Sequence, residues 1–129
     1  MPVNSPQDTL TQSTLAVIEA FNDALNRHDI DAVMDAMTGD CVFETTFPPP
    51  DGARFEGQAN VRAFWEDFLR AAQDQVINPE EFIVCGDRCT MRWVYQWTEA
   101  DGKTSHIRGV DVFRVRDGKV AEKFSYVKG

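Results

Sequence analysis

The chain has 129 residues, of which 43% are apolar and 26% charged. That length suits one hydrophobic core, and that balance fits neither a disordered nor a membranous polypeptide. A net charge of −8 repels phosphate backbones and argues against nucleic-acid binding; no apolar run is long enough to span a bilayer.

Residues 1–8 read as a loose tail, with Pro2 and Pro6 opposing regular structure, ahead of a single domain over 9–129. Met1 to Ser13 is polar and lacks the basic-then-apolar pattern of a signal peptide, so a cytoplasmic location is expected, without a membrane partner. A first helix is predicted from about Thr9 to Arg27, with Leu15, Ile18, Phe21 and Leu25 on one stripe. His28 follows at its end, where a cation favours the helix dipole. Asp29 can cap a second, short helix that carries Ile30, Val33, Met34 and Met37 inward and stops near Gly39.

Cys41 to Phe47 is a strand candidate. The run Pro48-Pro49-Pro50-Asp51-Gly52 then forbids both helix and central strand. A third helix begins after Gly57, and its Val61, Phe64, Trp65, Phe68 and Leu69 keep helical spacing. Beyond Ala72, strands are predicted over Glu81–Cys85, Cys89–Thr98, Ser105–Val115 and Lys119–Val127. They are divided by Gly86-Asp87, Asp101-Gly102 and Asp117-Gly118, each a hairpin signature. Helices first and an antiparallel meander afterwards make the class α+β, with the helices on one face of the sheet.

Three cysteines, Cys41, Cys85 and Cys89, form no disulfide framework, and His28 and His106 make no zinc-like cluster with them. There is also no phosphate-cradling glycine loop, so no cofactor and no metal are expected.

The order of elements resembles the nuclear transport factor 2-like superfamily, and within it the SnoaL-like polyketide cyclases and ketosteroid isomerases. Three stretches carry the resemblance: Asp29-Ile30-Asp31-Ala32-Val33 through Cys41-Val42-Phe43-Glu44; Phe55-Glu56-Gly57 through Phe64-Trp65; and Gly109-Val110-Asp111 through Asp117-Gly118-Lys119-Val120. The resemblance implies a cone-shaped α+β barrel: three N-terminal helices packed on a curved, mainly antiparallel sheet, with a ligand pocket inside. It also implies binding of a small hydrophobic or polycyclic molecule, with isomerase- or cyclase-type proton transfer, or else a non-catalytic binding or association module. Pockets of this kind need apolar walls and a few aimed polar groups. Phe21, Leu25, Phe43, Phe47, Trp65, Phe68 and Phe113 are the candidate walls, with some of Trp93, Tyr95 and Trp97 beside them.

Carried over residue by residue, the isomerase machinery is incomplete. That enzyme uses an aspartate base and an oxyanion hole of a tyrosine and a protonated aspartate. The base position falls on Thr45 and the tyrosine position on Phe21; only the oxyanion aspartate has a counterpart, Asp111. The limonene-epoxide hydrolase arrangement, an arginine with an aspartate two residues on, fails at Arg92-Trp93-Val94. Glu44 should point to the face opposite Thr45.

Asp111 lies in a β-rich run, where an unpaired buried carboxylate would be costly. A three-residue turn at Asp117-Gly118 would place Lys123 across from it, and a two-residue turn would place Phe124 there. The first register is preferred, because it gathers Val110, Val112, Phe124 and Tyr126 on one face. Asp111 and Lys123 are then the candidate catalytic pair, with Ser125 and Thr45 as polar substrate contacts. The apolar face opposite them is a candidate homodimer surface.

Overall fold

The computed structural model of the protein describes residues 5–129. Helix α1 spans Pro6–Asn26, so it starts three residues before the sequence expectation. Ser5 is the reason: its Oγ accepts from the Asp8 N–H at 3.1 Å, the Asp8 carboxylate accepts the Ser5 N–H, and Pro6 opens the first turn. Of the expected tail, residues 1–4 lie outside the described residues and Pro6–Asp8 are helical.

Asp29 caps α2 (Ile30–Asp35) by accepting the Ala32 N–H. The helix stops at Ala36 rather than near Gly39, because the chain there enters strand β1 (Met37–Glu44). The Val120 N–H donates to the Ala36 carbonyl at 2.7 Å and draws the segment into the sheet. His28 holds a left-handed φ of 56°, and its Nε2 lies 3.2 Å from the Gln75 carbonyl. A short strand β2 (Arg54–Glu56) leads into α3 (Gln58–Ala71).

Strand β3 (Val76–Cys85) starts five residues earlier than expected. Its added part contains Pro79, whose missing N–H is tolerated because β3 is an edge of the sheet. Strands β4 (Arg88–Thr98), β5 (Thr104–Arg116) and β6 (Lys119–Val127) follow the expected meander.

The sheet order is β2-β1-β6-β5-β4-β3, with β1 parallel to β6 and every other pair antiparallel. The sheet does not close: β2 and β3 are its two ends. The core lies between its concave face and the helices, where Ile18, Phe21, Val33, Val61 and Trp65 meet Phe43, Met91, Phe113 and Val120.

The last hairpin follows neither anticipated register. A two-residue turn pairs Arg116 with Lys119; then the register shifts, Arg114 faces Glu122, and Ser125 stands across from Asp111. The extra residue sits in the β6 strand rather than in the turn. It changes the offset by two places relative to the preferred register, and a shift of two keeps every side chain on its face. Asp111, Phe113, Lys123 and Ser125 therefore still share the concave side.

Candidate functional site

A cavity of about 250 Å³ opens on the concave face. Its walls are Phe43 from β1, Phe64, Trp65 and Phe68 from α3, Ile77 from β3, Trp93 and Tyr95 from β4, and Ile107 from β5. Alternation along the strands places these residues: Trp93 and Tyr95 on β4 and Ile107 and Asp111 on β5 are two or four apart, so they face one way. Gly109 is required between them. A Cβ there would lie 2.6 Å from the Trp93 ring and 2.3 Å from the Tyr126 carbonyl, so only glycine lets the indole lie across β5. Trp65 stacks on Phe43 with centroids 4.9 Å apart, and Phe64 meets Phe43 edge-on.

Charge enters this apolar chamber at one place. Ser125 Oγ donates to Asp111 Oδ1 at 2.7 Å, Lys123 Nζ donates to Ser125 Oγ at 2.8 Å, and Lys123 Nζ lies 3.3 Å from Asp111 Oδ2. Asp111 is 2% exposed and Lys123 4%. The ammonium sits over the Phe43 ring at 4.2 Å and 5.3 Å from the Trp65 ring, a cation–π arrangement. Burial pushes the Lys123 amine below its ordinary value, and Asp111 opposes that shift by charge and hydrogen bonding. Burial, with Asp111 adding to it, raises the neighbouring Cys89 thiol to about 11, so this thiol is no nucleophile at neutral pH.

A second polar cluster faces the cavity four residues further along β4 and β5, about 13 Å away at strand rise. Tyr95 Oη donates to Gln75 Oε1 at 2.7 Å, and Gln75 Nε2 donates to the Phe68 and Ala72 carbonyls. Burial, reinforced by Asp74, pushes the Tyr95 phenol up to about 12.

Of the residues expected to contact substrate, Phe43, Thr45, Phe47, Trp65, Phe68 and Ser125 line the cavity, together with Asp111 and Lys123. Phe21, Leu25 and Phe113 do not. Phe21 meets Trp65 and Phe113 edge-on from behind, and all three residues are packed in the core. No residue of α1 reaches the cavity, and Phe113 shares the face of Asp111 on β5 but packs against Phe21. Thr45 is committed elsewhere: its Oγ1 donates to the Phe47 carbonyl and accepts the Ala53 N–H, which closes the proline loop. Gly52 completes that closure at φ 74°, where a Cβ would stand 1.9 Å from the Thr45 carbonyl. Phe47 is 74% exposed at the cavity rim. Sequence reasoning missed Thr46, Phe64, Ile77 and Ile107 as wall residues. The parity shared with Asp111 was a usable signal for Ile107, whereas Ile77 was hidden because its strand was not recognised. Glu44 faces away, as alternation requires, and pairs with Arg54 at 2.8 Å. Among the described residues no cluster of His, Cys, Asp and Glu could hold a metal ion, and no helix is long and apolar enough to cross a membrane.

The sequence profile of the SnoaL-like domain matches residues 18–123. The chain belongs to this SnoaL-like family. Its fold neighbours agree. A nuclear transport factor 2-like protein of unknown function from Mesorhizobium loti is 35% identical, with a TM-score of 0.78 over 100% of this chain and 98% of that one. TerC, crystallised with polyporic acid, is 21% identical over 90% and 92% of the two chains, with a TM-score of 0.76. Rv0760c from Mycobacterium tuberculosis, in complex with estradiol-17β-hemisuccinate, is 23% identical over 88% and 92%, also at 0.76. Polyketide cyclase-like and ketosteroid isomerase-like chains stand among the neighbours as well. No curated protein matches the chain. The SnoaL-like family thus accounts for the cone and the three helices packed on its sheet.

Proposed function

We propose that this SnoaL-like chain binds a small, flat, largely apolar molecule bearing a carbonyl or hydroxyl group, and moves a proton on it with Asp111 as the base. The observation that carries the reading is the charged cluster of Asp111, Ser125 and Lys123 in a chamber whose other walls, Thr45 and Thr46 apart, are aromatic or aliphatic. Size supports it: a cavity of roughly 150 Å³ holds benzene, so about 250 Å³ suits two rings, with more able to protrude past Phe47. Asp111 would take a proton from a carbon next to the carbonyl, and Lys123 would face the oxygen that gains charge. Ligands of two fold neighbours, polyporic acid and estradiol-17β-hemisuccinate, are ring systems with oxygen substituents.

Trp65 and Trp93 line the cavity, so binding is readable as quenching of intrinsic fluorescence by those two compounds. Turnover is readable with 2-tetralone in D₂O, by following deuterium uptake beside the carbonyl. Asp111→Asn should cut that exchange by about 10²-fold or more, the range of general base catalysis. Unchanged exchange would remove Asp111 from the role. One observation favours the alternative, a non-catalytic binder: Asp111 already has an ammonium and a hydroxyl as partners, and the isomerase tyrosine is replaced by Phe21. Quenching without any exchange would support that reading.

A homodimer through the convex face belongs to the same proposal. Val110, Val112 and Phe124 are half-buried there and Tyr126 and Ile83 are exposed. Sedimentation showing only a monomer at micromolar concentration would refute it. A cytoplasmic location is likewise proposed, and cell fractionation checks it.

A further inference from the structure

The chain has four lysines, and three of them, Lys103, Lys119 and Lys128, are exposed. Lys123 alone is buried, and it lies on the cavity wall. An ammonium has three N–H donors. One is given to Ser125 and another faces Asp111 Oδ2; a third has no protein acceptor among the described residues, and the rest of the surroundings are the faces of Phe43 and Trp65 and the cavity itself. Ser125 stands between nitrogen and carboxylate, accepting from the one and donating to the other. That is a path by which the ammonium can lose a proton without water.

We propose that Lys123 is an imine-forming residue, whose amine condenses with the carbonyl carbon of an aromatic aldehyde or ketone seated in the cavity. The inference rests on the ligand reading above and adds a covalent step to it. The ammonium passes one proton to Ser125 Oγ while Ser125 passes its own to Asp111 Oδ1, which leaves a free amine and a neutral carboxyl. The nitrogen lone pair attacks the carbonyl carbon and the C–O π pair moves to oxygen. That oxygen takes a proton from nitrogen, giving a carbinolamine. The Asp111 carboxyl then protonates the hydroxyl, water leaves, and the nitrogen lone pair closes the C=N bond. Ammonium plus carbonyl has become iminium plus water, with no oxidant or reductant consumed. The carboxylate is restored beside a cation, so the charge pattern of the pocket is the same before and after. The lowered basicity of a buried amine makes it the better nucleophile near neutral pH, and an apolar chamber favours the loss of water. The stacked Phe43 and Trp65 rings beside Nζ would pack against the arene of the bound carbonyl compound.

The test uses the intact protein and 6-methoxy-2-naphthaldehyde, a two-ring aldehyde, with sodium cyanoborohydride at pH 7, followed by intact mass and peptide mapping. The corresponding naphthylmethanol, which cannot form an imine, is titrated in parallel by tryptophan quenching. The expected result is one adduct per chain, mapped to Lys123, formed about tenfold or more faster than on the exposed lysines, because an amine of lowered basicity is free of its proton more often at pH 7. Lys123→Met should lose that adduct, and mapping of the wild type stands without it if the variant does not fold. Binding of the alcohol with no adduct at Lys123, or with label only on the exposed lysines, overturns the imine proposal and leaves the ligand reading intact. Failure of both alcohol and aldehyde to bind or label overturns the ligand reading, and the imine with it.

Discussion

The cavity has two polar clusters about 13 Å apart along the strands, one around Tyr95 of β4 and one around Asp111 of β5 and Lys123 of β6, and they are built on opposite terms. At the Tyr95 cluster each donor has a backbone or amide partner: the phenol ends on Gln75 Oε1, and the Gln75 amide ends on the carbonyls of Phe68 in α3 and of Ala72 just past it. Nothing is charged and no donor of the cluster is left over, which is how a polar group is buried at low cost. At the Asp111 cluster two full charges are buried within 3.3 Å of each other, with one hydroxyl between them. A pair of that kind is held together by charge rather than by packing, and an apolar replacement is often as stable. The first arrangement explains itself as structure. The second is what a site for chemistry requires.

The largest test of this contrast is to break the charged pair from either side. Asp111→Asn and Lys123→Met should each cost about 3–5 kcal/mol, because each strands a buried partner. The double variant should recover most of that loss in urea melts. Two losses that simply add would mean the groups are not coupled.

Next in size is the rim. Gly52→Ala places a Cβ against the Thr45 carbonyl at a φ that alanine resists, so a loss of about 1–3 kcal/mol is expected. With the Thr45 closure disturbed, fluorescence titration should also show weaker ligand binding. Unaltered stability would mean that the proline loop can re-form without this contact. Smaller still is Tyr95→Phe, which removes one hydrogen bond from a neutral, partly exposed cluster and should cost about 1 kcal/mol. Proton exchange in 2-tetralone should then be within about twofold of wild type, by the same separation of roles. A loss as large as that of Asp111→Asn would make the two clusters functionally equal and end the contrast.

The sequence made different parts of this picture legible to different degrees. Helix α3 and the three hairpins were readable because periodicity and the turns at Gly86-Asp87, Asp101-Gly102 and Asp117-Gly118 are local signals. The first half of strand β3 was not read: a proline is compatible with a strand only at an edge, and edge position is a property of the whole sheet and not of the strand. The polar cluster was found through alternation, which survives a register error of two; the partner across from Asp111 was not, because the β6 irregularity carries no glycine or proline to announce it. Phe21, Leu25 and Phe113 were assigned to the wall for lack of depth information: a helical stripe shows which side faces inward and not which layer a residue occupies.

The last predicted effect is a pH dependence that follows from the lowered basicity of Lys123. Its amine is pushed down by burial and pulled back up by Asp111, through charge and through hydrogen bonding. In an Asp111→Asn background only the burial remains, so the folded amine gives up its proton well before the unfolded one does at about 10.5. Between those two values the unfolded chain binds the extra proton, and stability rises with pH. Below the folded value the full cost of a buried ammonium is present; above 10.5 it is gone. Asp111→Asn should therefore be less stable than Asp111→Asn with Lys123→Met at pH 7, and the gap should narrow steadily as urea melts are taken towards pH 10. Groups common to both variants, Cys89 among them, cancel in the difference. In the wild-type background, where Asp111 offsets the burial, the corresponding pH dependence should be weaker. A gap that does not change with pH would mean that Lys123 swings out to water once its partner is lost. The ammonium would then be held in the chamber by Asp111 alone, and the aromatic faces of Phe43 and Trp65 would contribute nothing to keeping it there.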